Sequence, residues 1–99
     1  VRSADDVAIL RHPGWPAVTV SVRYFAGARA AAGVAEEQLS LPEHSTVRDL
    51  IEELVQRHGE GLARVLAASS FIVDEVTSGP DRVVEHGARI DVLPPFAGG

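Results

Sequence analysis

Between Thr46 and Gly59, five apolar side chains fall at i, i+3, i+4, i+7 and i+8: Val47, Leu50, Ile51, Leu54 and Val55. That spacing predicts an α-helix with one continuous apolar stripe, and a stripe needs something to cover it. Upstream, the period changes. Val18, Val20, Val22 and Tyr24 alternate with Thr19, Ser21, Arg23 and Phe25, the two-residue repeat of a half-buried strand. A helix with one apolar face and a strand with one apolar face bury each other, so the chain is driven towards a helix laid on one side of a sheet.

The remaining segments fill in that plan. Ala26 to Gly33 is rich in Ala and bounded by Gly, which suggests a loop with a short helical turn. Glu36 to Leu41 reads as a second strand that Pro42 ends. Ser45-Thr46 opens the main helix. Thr46 with Asp49 is a weak capping box, because Glu or Gln is the preferred third position. Glu53 and Arg57 pair at i, i+4 on the wet side, and His58-Gly59 supplies the stop. Leu62, Val65 and Leu66 suggest a short second helix.

Phe71 to Val76 reads as a third strand and Ser78-Gly79-Pro80-Asp81 as a turn. Val83-Val84 reads as a short edge strand, Glu85-His86-Gly87 as a turn and Arg89 to Leu93 as the last strand. The order strand, strand, helix, strand, short strand, strand predicts an α+β fold of the β-grasp arrangement. Its mixed four- to five-stranded sheet packs on one main helix. Residues 17–93 form this domain. Residues 1–16, with Asp5-Asp6 and Arg11-His12-Pro13-Gly14, are expected to be a disordered leader, with Trp15 packing on the domain edge. Residues 94–99 are expected to be an extended, free C-terminal tail.

With 99 residues, the chain fits one small core and no separate catalytic domain. It contains no Cys, which excludes disulfides, zinc thiolates, iron–sulfur ligation and a cysteine persulfide. Its formal net charge is −5, and all nine basic residues are Arg. An acidic chain without a basic stripe argues against nucleic acid and fits a basic protein partner. With no Lys, it offers no side-chain amine for an isopeptide with its own tail. No apolar run approaches a membrane span and no signal peptide is visible, so a cytoplasmic location is expected.

Other candidate chemistry is sparse. His12, His44, His58 and His86 sit at no metal-ligand spacing and read as turn residues. Glu36-Glu37 and Glu52-Glu53 diverge as neighbours do, so they read as a solvated face rather than an acid/base pair. Ser69-Ser70 has no base nearby in sequence and reads as a turn cap. No glycine loop is built to hold a phosphate.

The ending Pro94-Pro95-Phe96-Ala97-Gly98-Gly99 is different. Gly98 and Gly99 lack Cβ atoms and can thread a narrow channel, while Pro94 and Pro95 favour an extended run. Six extended residues reach roughly 20 Å, enough to enter a partner's active site.

The element order, Arg23-Tyr24-Phe25-Ala26 followed by Arg29, and the run Ile90-Asp91-Val92-Leu93 into that tail resemble the small, sulfur-carrying subunits of molybdopterin synthase. These belong to the ubiquitin-like carriers of the MoaD/ThiS type. The resemblance covers residues 18–99. It implies that Gly99 is first adenylated and then converted to a thiocarboxylate, with Pro94, Pro95, Phe96, Ala97 and Gly98 threading the tail.

The implied partners are the large subunit of the synthase, an adenylating enzyme of the ubiquitin-activating type and a sulfur donor. ATP and magnesium are used by the activating partner, and this chain binds no cofactor. Sulfur would pass to a cyclic pyranopterin precursor of the molybdenum cofactor, with no catalysis by the chain alone. Phe25 and Leu93 point away from the valine face and, flanked by Arg23, Arg29 and Asp91, are the expected partner-binding patch. Thr77-Ser78 stands where family members can carry an apolar residue. The alternatives are carrier chemistry for cysteine, thiamine or tRNA thiolation, a ubiquitin-like protein modifier, or a plain interaction module.

Overall fold

The computed structural model of the chain describes residues 16–95. The elements run β1 (Ala17–Tyr24), α1 (Ala26–Ala32), β2 (Glu36–Pro42), α2 (Val47–His58), α3 (Glu60–Ala68), β3 (Ser70–Val73), β4 (Val76–Ser78) and β5 (Arg89–Leu93). The five strands form one sheet in the order β2-β1-β5-β3-β4. β1 and β5 are parallel, while β1–β2, β3–β5 and β3–β4 are antiparallel. The expected mixed sheet is therefore five-stranded, with the first and last strands side by side at its centre.

Alternation decides which side is covered. Val18, Val20, Val22 and Tyr24 are all buried, and so are Leu39 and Leu41 of β2, Phe71 and Val73 of β3, and Ile90 and Val92 of β5. They meet Val47, Leu50 and Leu54 of α2, Leu62 and Leu66 of α3, and Ala28 of α1 in one cluster, against which Ile51, Val55 and Val65 pack partly buried. Burying a side chain of this size contributes about 1.5–3 kcal/mol, so this shared face dominates the fold. The opposite face of the sheet carries Arg23, Asp91, Leu93 and Ile72.

The main helix starts as a complete capping box. Thr46 Oγ1 accepts the Asp49 backbone N–H at 3.3 Å, and Asp49 Oδ2 accepts the Thr46 backbone N–H at 2.9 Å. Asp serves here because its shorter side chain still reaches back across one turn. At the other end, Gly59 takes φ +89°, a conformation that favours glycine.

Three local readings need correction. Within Ala26 to Gly33, Ala26–Ala32 form a helix of seven residues, not a loop with one turn, and a left-handed Gly33 ends it. Phe71 to Val76 is not one strand: β3 stops at Val73, and Asp74-Glu75, both at positive φ, turn the chain back into β4. Val83-Val84 is not a strand. Val83 makes one isolated bridge to Thr46, while Val84 is buried and donates its N–H to Ser45 O at 2.9 Å. Side-chain burial, rather than strand pairing, accounts for its apolar character.

Candidate functional site

The last strand delivers the C-terminal segment beside the end of the first. In the parallel register Arg23 lies opposite Asp91 and Tyr24 opposite Val92. The Phe25 N–H donates to Val92 O at 3.3 Å, just as β1 hands over to α1. Pro94 is half-buried and Pro95 exposed at this exit. Phe96, Ala97, Gly98 and Gly99 lie outside the described residues, as does the leader as far as Trp15.

Four of the expected patch residues come together on the open face as a tile: Arg23 of β1, Phe25 just past its end, and Asp91 and Leu93 of β5. The Arg23 guanidinium grips Asp91 with both arms, Nε to Oδ1 at 2.8 Å and a terminal nitrogen to Oδ2 at 3.0 Å. This paired, two-pronged geometry is the strong form of a charge-assisted bond, and the hydrogen bond to Asp91 raises the Arg23 pKa above its ordinary value. The same guanidinium lies over the Phe25 ring, 5.5 Å from its centroid, a cation–π arrangement. Phe25 remains 38% exposed. Leu93 completes the tile, two residues beyond Asp91 and on the same face.

Arg29 stands at the rim of the tile, one turn beyond Phe25, to whose carbonyl its backbone N–H donates at 3.4 Å. It lies in α1 and lines an open hollow with Ala26, Ala30, Gly33, Val34 and Ala35.

The sequence reading missed Ile72. It lies across from Asp91 on one side and Thr77 on the other, half-buried on the open face. The transverse row is Glu36, Arg23, Asp91, Ile72, Thr77. The signal was present: Phe71 and Val73 claim the inner face, so the apolar residue between them must face out. Thr77, noted as a departure, is the polar end of this row.

Beneath the tile, on the covered face, a second polar cluster holds the same end of β1. The buried Tyr24 hydroxyl donates to Glu37 Oε2 at 2.5 Å, and His58 Nε2 lies 2.6 Å from that oxygen. Arg57 approaches Glu37 Oε1 at 3.4 Å, and the Tyr24 and His58 rings meet edge to face at 6.1 Å. Burial, reinforced by the bond to Glu37, pushes the Tyr24 phenol well up. Burial also pulls the Glu37 carboxyl upward, but the hydrogen bonds from Tyr24 and His58 and the charges of His58 and Arg57 outweigh it and hold the group below its ordinary value. Glu37 is thus no member of a solvated face, although its neighbour Glu36 is exposed. His58 does more than end a helix.

Chemically, the fork and the Tyr24–Glu37–His58 cluster hold a strand end. Among the described residues, no group of three or more His, Asp or Glu residues is arranged to hold a metal ion. No helix among them is long and apolar enough to cross a membrane.

Comparison with known proteins identifies the family and the fold. The sequence model of the ThiS family matches residues 22–99. The human molybdopterin synthase sulfur carrier subunit is 36% identical over 87 residues, covering 85% of this chain and 98% of the human protein. Among solved structures, a Pyrococcus furiosus protein provisionally described as molybdopterin converting factor subunit 1 superposes with a TM-score of 0.73 at 37% identity. That match covers 80% of this chain and 99% of the other. A complex of subunits 1 and 2 of molybdopterin-converting factor from Helicobacter pylori matches with a TM-score of 0.56 at 23% identity, over 83% of this chain and all of that one.

Proposed function

The chain belongs to the ThiS family, and from that premise we propose that it is the sulfur carrier subunit of a molybdopterin synthase, acting through its C-terminal glycine. The observation that carries the reading is the placement of β5 beside β1, which sends the chain out of the sheet next to an open face bearing Phe25, Leu93 and Ile72. A carrier needs a rigid body, a docking face and a slender reactive end. The domain supplies the first two, and Pro94 to Gly99 supply the third.

The Gly99 carboxylate, with an ordinary pKa of about 3.3–3.7, is ionised at neutral pH and a poor electrophile. An adenylating partner using ATP and magnesium would join it to AMP and release pyrophosphate. A persulfide donor would then displace AMP to form an acyl disulfide, and a second thiol would reduce it, leaving a thiocarboxylate and a donor disulfide; free sulfide would give the thiocarboxylate directly. The tail, with Pro94, Pro95, Phe96, Ala97 and Gly98 threading the channel, would present that sulfur to a cyclic pyranopterin precursor held by the large subunit. The Helicobacter complex of two subunits supports a large-subunit partner. Phe25, Leu93 and Ile72 form the docking patch, with Arg29 at its rim. The work belongs to the cytosol, where ATP and thiol-based sulfur donors are available.

The test is the intact mass after incubation with ATP, an activating enzyme and a sulfur donor. The expected change equals one oxygen replaced by sulfur, lost when Gly99 is deleted. A mass gain equal to a second protein joined through an amine would instead make the chain a modifier. Release of sulfur only to a thiazole, cysteine or tRNA pathway would keep the carrier chemistry and overturn the molybdopterin assignment.

A further inference from the structure

We propose that Arg23 and Asp91 are positioning residues that aim the tail, and that the partner does not read their charges. The inference rests on the carrier reading above and gives two of the patch residues a different job from docking. Both carboxylate oxygens of Asp91 are taken by the Arg23 fork, and the Asp91 side chain is only 19% exposed. The Asp91 charge is therefore satisfied within the chain, and a partner that paired with that carboxylate would first have to break the fork; Arg23, 39% exposed, keeps N–H donors beyond the two that the fork uses.

The location explains what the fork is for. The parallel pairing of β1 and β5 has only four register positions, Ser21–Arg89 to Tyr24–Val92. It joins residues 68 apart in sequence. Arg23–Asp91 is the third of those positions, one before the last, and Asp91 lies two residues before β5 ends at Leu93. Parallel pairing is slightly less stable per residue than antiparallel pairing, so a strand end that must stay put gains from a side-chain tie.

The Arg23 guanidinium also lies over Phe25, whose N–H holds Val92 O. One cation thus fixes the last strand and the ring flanking the exit. A tail that threads a channel loses conformational freedom on entry, and small errors in aim at a reacting centre can cost on the order of a hundredfold in rate. The fork removes some of that freedom in advance.

The experiment is a charge-swap cycle with thiocarboxylate formation as the readout. The chains are Arg23→Asp, Asp91→Arg and the double swap, with Arg64→Ala on α3 as a surface-charge control. Each single variant places like charges face to face and is expected to slow sulfur loading about tenfold or more, a loss of about 1.4 kcal/mol. The double swap rebuilds the fork and should recover to within about threefold of the parent, or about 0.7 kcal/mol.

A double swap as slow as the worse single variant would show that the partner reads these charges and would overturn the proposal. Singles that load at the parent rate would overturn it too. If a single variant fails to fold, Asp91→Asn, which keeps the shape and removes the charge, takes its place. If the parent takes up no sulfur, the carrier reading fails. The clamp is then decided by amide hydrogen exchange at Phe25: faster exchange in Asp91→Asn supports it, and an unchanged rate overturns it.

Discussion

The Tyr24 hydroxyl donates to the Glu37 carboxylate at 2.5 Å across the β1–β2 edge, and His58 at the end of α2 closes on the same oxygen. Three elements are tied at one point directly below the tile from which the tail leaves. Together with the Arg23–Asp91 fork above, the exit end of the sheet is fixed from both faces.

Replacing Glu37 with Gln is expected to lower stability at neutral pH by about 1–3 kcal/mol, because the buried Tyr24 hydroxyl and the His58 nitrogen lose a charged acceptor. The pH dependence has a definite sign. The folded state holds the Glu37 carboxyl below the ordinary value of 4.5. Its contribution is therefore complete above that value and is lost as pH falls through and beneath it. Urea unfolding of both chains at pH 7 and in the acid range checks this. The parent should lose more stability on acidification than Glu37→Gln, and equal losses would exclude Glu37 as a source of acid sensitivity.

Glu75→Gly is expected to stabilise the domain by about 1 kcal/mol, the cost of holding a non-glycine residue in the left-handed region. Glu75 has φ +72° and Asp74 φ +48° in the two-residue turn joining β3 to β4. Positive φ at both positions is the pattern of hairpin turns whose twist matches the strands. Asp74 should be kept, since its Oδ1 accepts the Arg89 N–H at 3.0 Å and ties the turn to β5. A midpoint in urea that stays level or falls in Glu75→Gly would show that the turn carries no such strain.

That turn also shows where sequence reading stops. The valine alternation of β1 and the stripe of α2 were legible because burial imposes a period on the residues themselves. The β-grasp order followed from them. Asp74-Glu75 carries no Gly, Asn or Pro to announce a hairpin, so Phe71 to Val76 read as one strand. Val83-Val84 read as a strand because a short apolar pair does not distinguish a paired backbone from a buried side chain.

At the site, Phe25 and Leu93 were legible from alternation alone. The Arg23–Asp91 fork and the Tyr24–Glu37–His58 cluster depend on strand register and helix placement. Those bring together residues 13 to 68 positions apart, which local pattern cannot show.

Phe25→Arg is expected to weaken binding of the large subunit at least tenfold, about 1.4 kcal/mol, without unfolding the chain. Phe25 is 38% exposed, and the aliphatic stem of an Arg can cover much of the apolar surface that the ring now covers, so the fold is retained. Docking suffers instead. A partner covering Phe25, Leu93 and Ile72 would meet a charge in place of an aromatic anchor, the type of residue that dominates interface energies. The new guanidinium would also stand beside Arg23, whose own guanidinium now lies over the ring, and would be pushed outward into the interface. Val83→Arg is the matched control. Val83 is equally exposed at 41% but lines a cleft with Val18 and His86 at the far end of β1. Titration of the large subunit against each variant, with thermal unfolding alongside, separates the cases. Equal affinity for parent and Phe25→Arg would move the docking face off this side of the sheet, whereas equal weakening by Val83→Arg would reduce the effect to added charge.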